Sequence, residues 1–234
     1  MIIHKLILRH LSHRDDPQFY LFQAQDAIRW IERQGVRIGA GVKALDLGCG
    51  HGIFGAELLQ RGCAVVFADY GNGLLPELKA TEFREIDIDR EPLAKLGEHD
   101  LVICSNVLEH LAKPSRFIES IPSVLSPGGV LYLSWTNWLS PWGGHEFSPF
   151  PFLGPQRGHL IYDRLIGQPR IHTPYVNLFP TYIGQVLREI RKQPRLRMRK
   201  IAPRYYPEFS WLSRIPVLRE FLVWNSAIVI ERPA

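Results

Sequence analysis

Short apolar runs alternate with amphipathic stretches along most of this chain. Seven segments are predicted to be strands, several of them apolar throughout, as strands covered on both faces should be. Residues at helical spacing fill several of the intervals between them. The strand segments are VKALDL (42–47), AVVFAD (64–69), FREIDI (83–88), DLVICS (100–105), VLYLSW (130–135), RLRMRKIA (195–202) and FLVWNSAIVIE (221–231). This alternation predicts an α/β fold, in which a mostly parallel sheet carries helices on both faces.

Helical patterns open the chain and separate the strands. Asp15 or Asp16 as N-cap and Pro17 in the first turn indicate a helix that ends near Gly35. Thr181 is a suitable cap for a late helix, whose apolar residues recur at helical spacing. The other helices are expected at about residues 53–61, 73–80, 91–96 and 115–125, where Pro122 weakens the last one.

The alternation stops for about forty residues after the fifth strand. This stretch begins with NWLSPWGGHEFSPFPFLGP (137–155), which is rich in Trp, Phe, Pro and Gly and contains one His-Glu pair. Connections in α/β units usually span about two to six residues, so we expect an ordered lid instead of a simple loop. One domain is predicted, with an N-terminal helical cover (1–39), a ligand-binding core (40–136), the lid (137–180), and a C-terminal helix with two strands (181–234).

Composition agrees with a single globular domain. The 234 residues are 46% hydrophobic and 22% charged, which argues against disorder. Cys49, Cys63 and Cys104 share no CxxC or Cys/His spacing, and no apolar run approaches the roughly 18 residues that cross a bilayer. The first residues lack the uninterrupted apolar region of a signal peptide. We therefore expect a protein of the reducing cytoplasm.

The net charge of +5 is concentrated near the C-terminus. Ten basic residues between Arg188 and Arg219 are opposed only by Glu189 and Glu208. A basic face of this kind can attract anionic lipid, which would give peripheral membrane association, or nucleic acid. The alternative is charge that simply faces water on the outer side of a helix and a strand.

A glycine-rich turn follows the first strand. In ALDLGCGHGIFGAELL, three glycines, Gly48, Gly50 and Gly52, stand at alternate positions between the strand and a helix that begins near Ile53. Glycines at this place let the chain turn sharply and let a ligand lie against bare backbone at a helix N-terminus. Because Ile53 follows Gly52, the pattern is GxGxG and the dinucleotide pattern GxGxxG fails.

Acidic residues end the next two strands. Asp69 lies about 20 residues after the glycine turn, where a carboxylate would bind a ribose diol. Asp87 and Ile88 close the third strand and could bind and cover an adenine. Each of these features alone is weak evidence for a ligand, because α/β proteins also use glycines only to turn the chain. Together, in this order and at the carboxyl ends of strands, they indicate a nucleoside ligand.

Residues 40–136 resemble the class I S-adenosylmethionine-dependent methyltransferases through ALDLGCGHG, Asp69, the IDID segment at 86–89, DLVICSNVLEHL and LSPGGVLYLS. The resemblance implies a Rossmann-like, seven-stranded sheet whose last strand is antiparallel, and S-adenosylmethionine as cofactor. It also implies that Asp46 lies beneath the methionine end of the cofactor and that Ser105 and Asn106 border this methionine portion. The full set of implied cofactor-binding residues is Asp46, Gly48, Cys49, Gly50, Gly52, Asp69, Tyr70, Asp87, Ile88, Ser105 and Asn106.

The methyl acceptor needs alignment and, if it is a hydroxyl, a base that takes its proton. His145 in the lid is the first candidate, with Glu146 orienting it or holding the acceptor hydroxyl. Both could instead only tie the lid together. His110, after the fourth strand, is the second candidate, although helix packing explains it equally well. No cluster has metal-ligand spacing, and Asp87 with Asp89 would chelate an ion only without the adenine contact. The sequence therefore gives no support for a metal and leaves metal dependence open.

The lid aromatics Trp138, Trp142, Phe147 and Tyr175 are expected to line the acceptor site. Such rings stack on sugars, lie along lipid or quinone, or form a small core of the lid itself. The segments TNWLSPWGGHEFSPFPFLGP, PRYYP and IPVLREFLVWNSAIVI are similar to actinobacterial enzymes that methylate sugar hydroxyls of envelope polysaccharides or glycolipids. This resemblance implies a saccharide or glycolipid acceptor.

Three alternatives to a saccharide acceptor exist, and the sequence argues against two of them. One is a quinone or another small lipophilic acceptor, and another is a protein that binds the cofactor without catalysis. The intact glycine turn with Asp69 argues against the latter. A nucleic-acid substrate is not expected, because SNVL follows the fourth strand where base-modifying enzymes carry an (N/D)PP(Y/F) motif.

Overall fold

The computed structural model describes residues 3–13 and 17–234, and of residues 10–13 only the backbone. Asp15 and Asp16, the predicted caps, lie outside the described residues. The helices are α1 Ile3–His13, α2 Pro17–Arg33, α3 Ile53–Gln60, α4 Pro114–Ser120, α5 Gly158–Leu165, α6 Ile183–Arg191 and α7 Leu218–Leu222. The strands are β1 Lys43–Leu47, β2 Ala64–Asp69, β3 Phe83–Glu85, β4 His99–Ser105, β5 Leu125–Thr136, β6 Arg197–Pro203 and β7 Asn225–Glu231.

All seven strands form one sheet in the order β3-β2-β1-β4-β5-β7-β6. The first five strands are parallel, and β7 lies between β5 and β6, antiparallel to both. The predicted fold class is therefore confirmed, including the antiparallel last strand. The order reverses between β1 and β4, so the carboxyl ends of these two strands flank the crevice where open α/β sheets bind ligands.

Each face of the sheet has its own hydrophobic core. On one face, Ile28 and Ile31 of α2 and Leu58 of α3 pack around Phe67. On the other face, α4 and α6 bury their apolar sides, with Phe117, Val186 and Ile190 among the buried residues. Burial of one such side chain contributes roughly 1.5–3 kcal/mol, so the two helical layers hold the strand ends in place.

Two predicted helices are only short 3-10 helices, at Pro76–Leu78 and Leu93–Leu96. Leu75 is extended before Pro76, because a residue preceding proline avoids the helical region, and a helix from residue 73 is thereby prevented. Gly97 has a left-handed φ of 79° and ends the second turn at once.

Three further boundaries differ from the sequence prediction. β3 ends at Glu85 instead of continuing to residue 88, because Asp87 begins a turn in which its carboxylate accepts a hydrogen bond from the Asp89 N–H. α4 ends at Ser120, and Pro122 lies in a 3-10 turn that leads directly into β5. The last strand begins at residue 225, since residues 218–222 form α7.

The lid consists of short pieces around a small core of its own. Besides α5 it contains 3-10 helices at His145–Phe147 and Phe150–Leu153. The core of the lid consists of Trp138, Phe147, Tyr162 and Leu178. Backbone hydrogen bonds from Phe179 to Glu109 and from Trp138 to Thr181 join the lid to the rest of the domain. Among the described residues, no helix has the length and apolar character needed to span a membrane.

Candidate active site

The glycine turn has the left-handed backbone that the sequence pattern requires. Gly48, Gly50 and Gly52 have φ values of 71°, 52° and 78°. A Cβ at Gly48 would overlap the side chain of Val107, whereas a Cβ at Gly50 would meet no atom within 4 Å. The backbone at Gly48 thus packs closely against the next βα connection, and the backbone at Gly50 is open to a ligand.

Asp46 fixes the turn from below. Its Oδ2 accepts a hydrogen bond of 2.8 Å from the Gly55 N–H, in the first turn of α3. The side chain is 3% exposed, and burial raises the pKa of Asp46 to about 7, although the bond from Gly55 partly offsets this. Asp46 therefore connects the end of β1 to α3 and titrates near neutral pH.

Asp69 lies at the carboxyl end of β2 and holds the neighbouring backbone. Its Oδ2 accepts from the Gly50 N–H at 2.8 Å, and its Oδ1 accepts from the Tyr70 N–H at 2.7 Å. Tyr70 is 81% exposed. Asp87 and Ile88 lie farther along the same edge, with Ile88 packed partly against the sheet core and the Asp87 carboxylate 3.4 Å from Arg90. These residues form a shallow edge beside the glycine turn.

A cavity of about 1110 Å³ opens where β1, β4 and β5 end beneath the lid. Its floor is formed by the glycine turn with Asp46 and Cys49, and by Ser105 and Asn106 after β4. The lid contributes Trp142, His145, Glu146, Tyr162 and His172, and the N-terminal helices contribute Ile3, Leu6, Ile7, Phe19 and Tyr20. Asp69, Tyr70, Asp87 and Ile88 do not line this cavity in the described part of the chain. The structure thus joins the predicted methionine-end residues to the lid and leaves the predicted nucleoside-end residues on the adjacent edge.

Asn106 is the centre of a polar network that the sequence did not reveal. Its φ is 56°, and its Oδ1 accepts hydrogen bonds from Arg204 at 3.2 Å and from Asn225 at 2.9 Å. Its Nδ2 donates to Gln23 at 3.4 Å. Arg204 is 5% exposed, although the sequence counts it within the basic face. No local pattern could have found this network, because its members come from α2, β4 and the segments around β6 and β7.

Glu109 is a second buried acid on the cavity wall. Its Oε1 accepts a hydrogen bond of 2.8 Å from the Thr136 N–H, so it ties the end of β5 to the segment after β4. Its Oε2 is buried and has no hydrogen-bond partner among the described residues, and the residue is only 2% exposed. A polar oxygen without a partner at this depth is costly unless a bound group pairs with it.

Three histidines from separate segments meet at the lid side of the cavity. The ring centroids of His145 lie 4.4 Å from His172 and 5.4 Å from His110, and His110 lies 5.3 Å from His172. We call His110, His145 and His172 the histidine cluster. The sequence predicted two of its members and left His172 without a role, because no residue near His172 indicates what it contacts.

Glu146 orients His172 and not His145, contrary to the sequence prediction. Its two carboxylate oxygens lie 2.8 and 3.0 Å from Nδ1 of His172. Burial alone would raise the pKa of Glu146, but hydrogen bonds from its own backbone and from His172 lower it below the usual value. The 3-10 turn at His145–Phe147 directs adjacent side chains to different sides, so Glu146 reaches the segment after α5 instead.

His145 is a weak proton acceptor in this arrangement. Burial, followed by the proximity of His172 and His110, lowers the pKa of His145 to about 3. Its Nδ1 is buried without a hydrogen-bond partner among the described residues. The geometry therefore brings His145 to the cavity, as predicted, but does not favour it as a general base near neutral pH.

The predicted aromatic wall is divided between two places. Trp142 lines the cavity, and its ring lies 4.8 Å from that of Trp224, which the sequence analysis did not single out. Trp138 and Phe147 are buried in the lid core, away from the cavity, because a Pro- and Gly-rich segment needs packing of its own to be ordered. Tyr175 is 55% exposed and lies outside the cavity.

Comparison with known proteins identifies the family. Residues 19–165, more than half of the chain, match the profile of a family described as a methyltransferase domain. The chain belongs to this methyltransferase family. It is 32% identical over 230 residues to an uncharacterized methyltransferase of Mycobacteroides abscessus, over 92% of this chain and 87% of the relative. It is 31% identical over 211 residues to one of Mycobacterium avium, over 82% and 78% of the two chains.

Solved methyltransferases share the fold. An S-adenosylmethionine-dependent methyltransferase from Mesorhizobium loti superposes with a TM-score of 0.61 at 18% identity, over 88% of this chain and 98% of that chain. Magnesium protoporphyrin IX methyltransferase from Synechocystis, solved with bound SAH, gives a TM-score of 0.56 at 16% identity, over 91% and 83% of the two chains. The methyltransferase is S-adenosylmethionine-dependent, which confirms the predicted cofactor.

The residues of the glycine turn fit this cofactor. Open space above Gly50 leaves bare backbone for a ligand, and the Asp69 carboxylate adjoins it at the end of β2, where a ribose diol would be bound. Ser105 and Asn106 continue the same floor toward the lid. A cofactor bound on this floor would adjoin the cavity that the histidine cluster also lines.

Proposed function

We propose that this methyltransferase transfers a methyl group to a hydroxyl of a saccharide or glycolipid acceptor. The observation that carries the proposal is the cavity itself, which combines a cofactor floor, a histidine cluster and exposed indole surface beneath one lid. The relatives from mycobacteria are described only as methyltransferases, so the acceptor is inferred from the chemistry of the cavity.

Bound S-adenosylmethionine would supply an electrophilic methyl group on a sulfonium. The chain must then align the acceptor and exclude water. The glycine turn and Asp69 hold the donor end, while the lid covers the carboxyl ends of β4 and β5. Imidazoles and Glu146 give the facing wall hydrogen-bonding groups for a hydroxyl. An acceptor held between these two walls would lie next to the bound methyl donor.

Aromatic and polar groups are arranged as a sugar ring requires. Trp142 and Trp224 contact each other and both line the cavity, so an indole face is available beside polar groups. Sugar rings present C–H faces that stack on aromatic planes and hydroxyls that hydrogen-bond at their edges. The histidine cluster can receive one such hydroxyl while the ring packs on tryptophan.

A lipophilic acceptor such as a quinone is the second candidate. Ile3, Leu6 and Ile7 of α1 line the same cavity, together with Phe19 of α2. This apolar side would accommodate a ring with an alkyl chain. It would equally accommodate the lipid part of a glycolipid, which is why we favour a glycolipid over a free polar sugar.

A panel of acceptors tests the proposed function. Cofactor carrying a labelled methyl group is offered with oligosaccharides, glycolipids and quinones, and label in each product is measured. We expect transfer to a sugar hydroxyl, with at least about tenfold loss of turnover in His172→Gln, which removes a hydroxyl-binding group. His159→Gln is the matched control, because His159 also lies in the lid but its Nδ1 donates to the Pro155 carbonyl outside the cluster. Transfer to quinones alone, or no transfer at all, would refute the saccharide proposal.

We also propose peripheral membrane association through the basic C-terminal face. Arg188, Arg191 and Arg195 are exposed, and none of them takes part in an ion pair among the described residues. Other residues of the basic face are less able to contact lipid. Arg197 and Arg199 lie near Glu231, and Arg204 is buried. The free charges support attraction to anionic lipid, worth about 1 kcal/mol for each residue near the surface.

Vesicle binding tests this association. Replacement of Arg188, Arg191 and Arg195 by Gln should weaken sedimentation with phosphatidylserine vesicles at least tenfold. The matched control replaces Arg84, Arg90 and Lys95 by Gln, three basic residues on the part of the chain around β3, which should bind as the wild type does. Equal binding by both triple variants would refute this membrane face.

A further inference from the structure

The three imidazoles of the histidine cluster come from three separate segments. His110 ends a 3-10 helix after β4, His145 begins one in the lid, and His172 lies after α5. One potential ligand atom from each lies within 4.8 Å of the other two. Metal–nitrogen bonds of about 2.0–2.1 Å would bring the atoms to about 3.4 Å, so small side-chain adjustments would close the site.

Hydrogen bonds set the protonation of two of these rings. Nδ1 of His110 lies 2.8 Å from the carbonyl oxygen of Asn177, and Nδ1 of His172 lies 2.8 Å from the carboxylate of Glu146. Both partners only accept, so each Nδ1 carries a hydrogen, and in the neutral ring the lone pair is then on Nε2. Carbonyl and carboxylate partners of this kind orient histidine ligands in metal sites.

The third ring and the cavity wall each carry a buried polar atom that favours a bound cation. Nδ1 of His145 is buried and has no partner among the described residues. Oε2 of Glu109, one residue from His110 and on the same cavity, is also buried without a partner. Unpaired groups of this kind are costly in an apolar interior, and a cation bound by the cluster would give His145 a partner within a cavity that Glu109 makes more favourable for positive charge.

We propose that His110, His145 and His172 bind a divalent transition-metal ion, best matched by Zn²⁺, whose open coordination position faces the cavity. Three neutral imidazoles suit Zn²⁺, whereas Mg²⁺ and Ca²⁺ prefer oxygen ligands. Three protein ligands with one open position are typical of catalytic zinc sites. The metal site stands on its own geometry, and its further role rests on the proposed function.

In that role, the ion holds the acceptor hydroxyl opposite the methyl donor. Coordination by a cation favours loss of the hydroxyl proton, which passes to water at the cavity mouth. The oxygen forms a bond to the methyl carbon as the bond from that carbon to sulfur breaks, and S-adenosylhomocysteine is released. In this arrangement His145 acts as a metal ligand.

Metal binding to the full-length protein tests the site without any acceptor. The protein is stripped with a chelator, and Zn²⁺ binding is measured by competition with a chromophoric chelator, with Co²⁺ absorption reporting the geometry. We expect one ion per chain, and at least about 100-fold weaker binding in His172→Gln. Glu146→Gln, which loses only the orienting carboxylate, should weaken binding about 10- to 100-fold.

His159→Gln is the control and should bind Zn²⁺ as the wild type does. Thermal unfolding and S-adenosylmethionine binding verify that every variant is folded. Absence of stoichiometric Zn²⁺ binding, or equal binding by His172→Gln and the wild type, overturns the site. Methyl transfer that persists after the ion is removed overturns its role at the acceptor. Zinc binding without transfer to any hydroxyl would instead refute the proposed function and leave the site intact.

Discussion

The glycine turn and the lid form opposite walls of one cavity, and they are built in different ways. The turn is held by partners close along the chain, such as Asp46 with Gly55 and Gly50 with Asp69. The lid wall is assembled from more distant segments, as in the contact between His110 and the Asn177 carbonyl oxygen. Binding of a common cofactor can rely on local geometry, whereas the acceptor wall depends on how a long connection packs.

The largest expected effect is the loss of lid stability when a residue of the lid core is replaced. Trp138→Ala should destabilise the lid by about 3–5 kcal/mol, because Trp138 is fully buried among Phe147, Tyr162 and Leu178. Hydrogen exchange should show faster exchange across the lid, while S-adenosylmethionine affinity stays within about twofold.

Trp142→Ala is the matched substitution on the cavity side. Trp142 is 38% exposed, so its loss should leave the hydrogen-exchange rates of the lid nearly unchanged. It should raise KM for the acceptor, because Trp142 lines the cavity. If Trp138→Ala weakened cofactor binding as strongly as it loosens the lid, the two walls would not be independent.

A pH-dependent effect is expected on the turn side, from Asp46. The pKa of Asp46 is raised from 3.8 to about 7 in the folded state, so the folded protein holds a proton that the unfolded chain releases. This contribution to stability is complete below pH 3.8 and is lost as the pH rises through 7. Asp46→Asn removes the titration and keeps an acceptor for the Gly55 N–H.

Thermal unfolding without cofactor measures this effect. Between pH 5 and pH 8 the wild type should lose about 2–3 kcal/mol relative to Asp46→Asn. Parallel stability curves for the two proteins over this range would show that the carboxyl group is already ionised at pH 5.

The smallest expected difference is the one between two glycine variants of the turn. Both Gly48→Ala and Gly50→Ala force a side chain into a left-handed conformation, at a cost of about 1–2 kcal/mol. The new methyl group of Gly48→Ala also overlaps Val107. The free energy of unfolding of Gly48→Ala should therefore be lower than that of Gly50→Ala by about 1–3 kcal/mol.

Cofactor affinity gives the opposite order. Gly50→Ala places its methyl group in the open space above the turn, where the cofactor would lie. It should therefore weaken S-adenosylmethionine binding more than Gly48→Ala does, although it destabilises the fold less. Urea unfolding and calorimetric titration measure the two quantities. Equal stability of the two variants would contradict the close packing at Gly48.

The sequence predicted the fold well where short-range rules apply. The strand segments appear as strands, and the glycine turn has the expected backbone, because both depend on local patterning and conformational preference. Predictions failed where proline and glycine compete with helical spacing, as at residues 73–80. The candidate site was predicted in part, since His110 and His145 do meet but His172 joins them from a segment without a recognisable pattern.

The sequence by itself determined the alternation of strands and helices, the glycine turn with Asp46 and Asp69, and the position of the lid after β5. These features depend on residues that are neighbours along the chain or along adjacent strands. Only the tertiary structure decided that Trp138 belongs to the lid core, that Arg204 is buried against Asn106, and that Glu146 orients His172. The physical reason is that side-chain burial and pairing are set by the packing of distant segments, which no local pattern records.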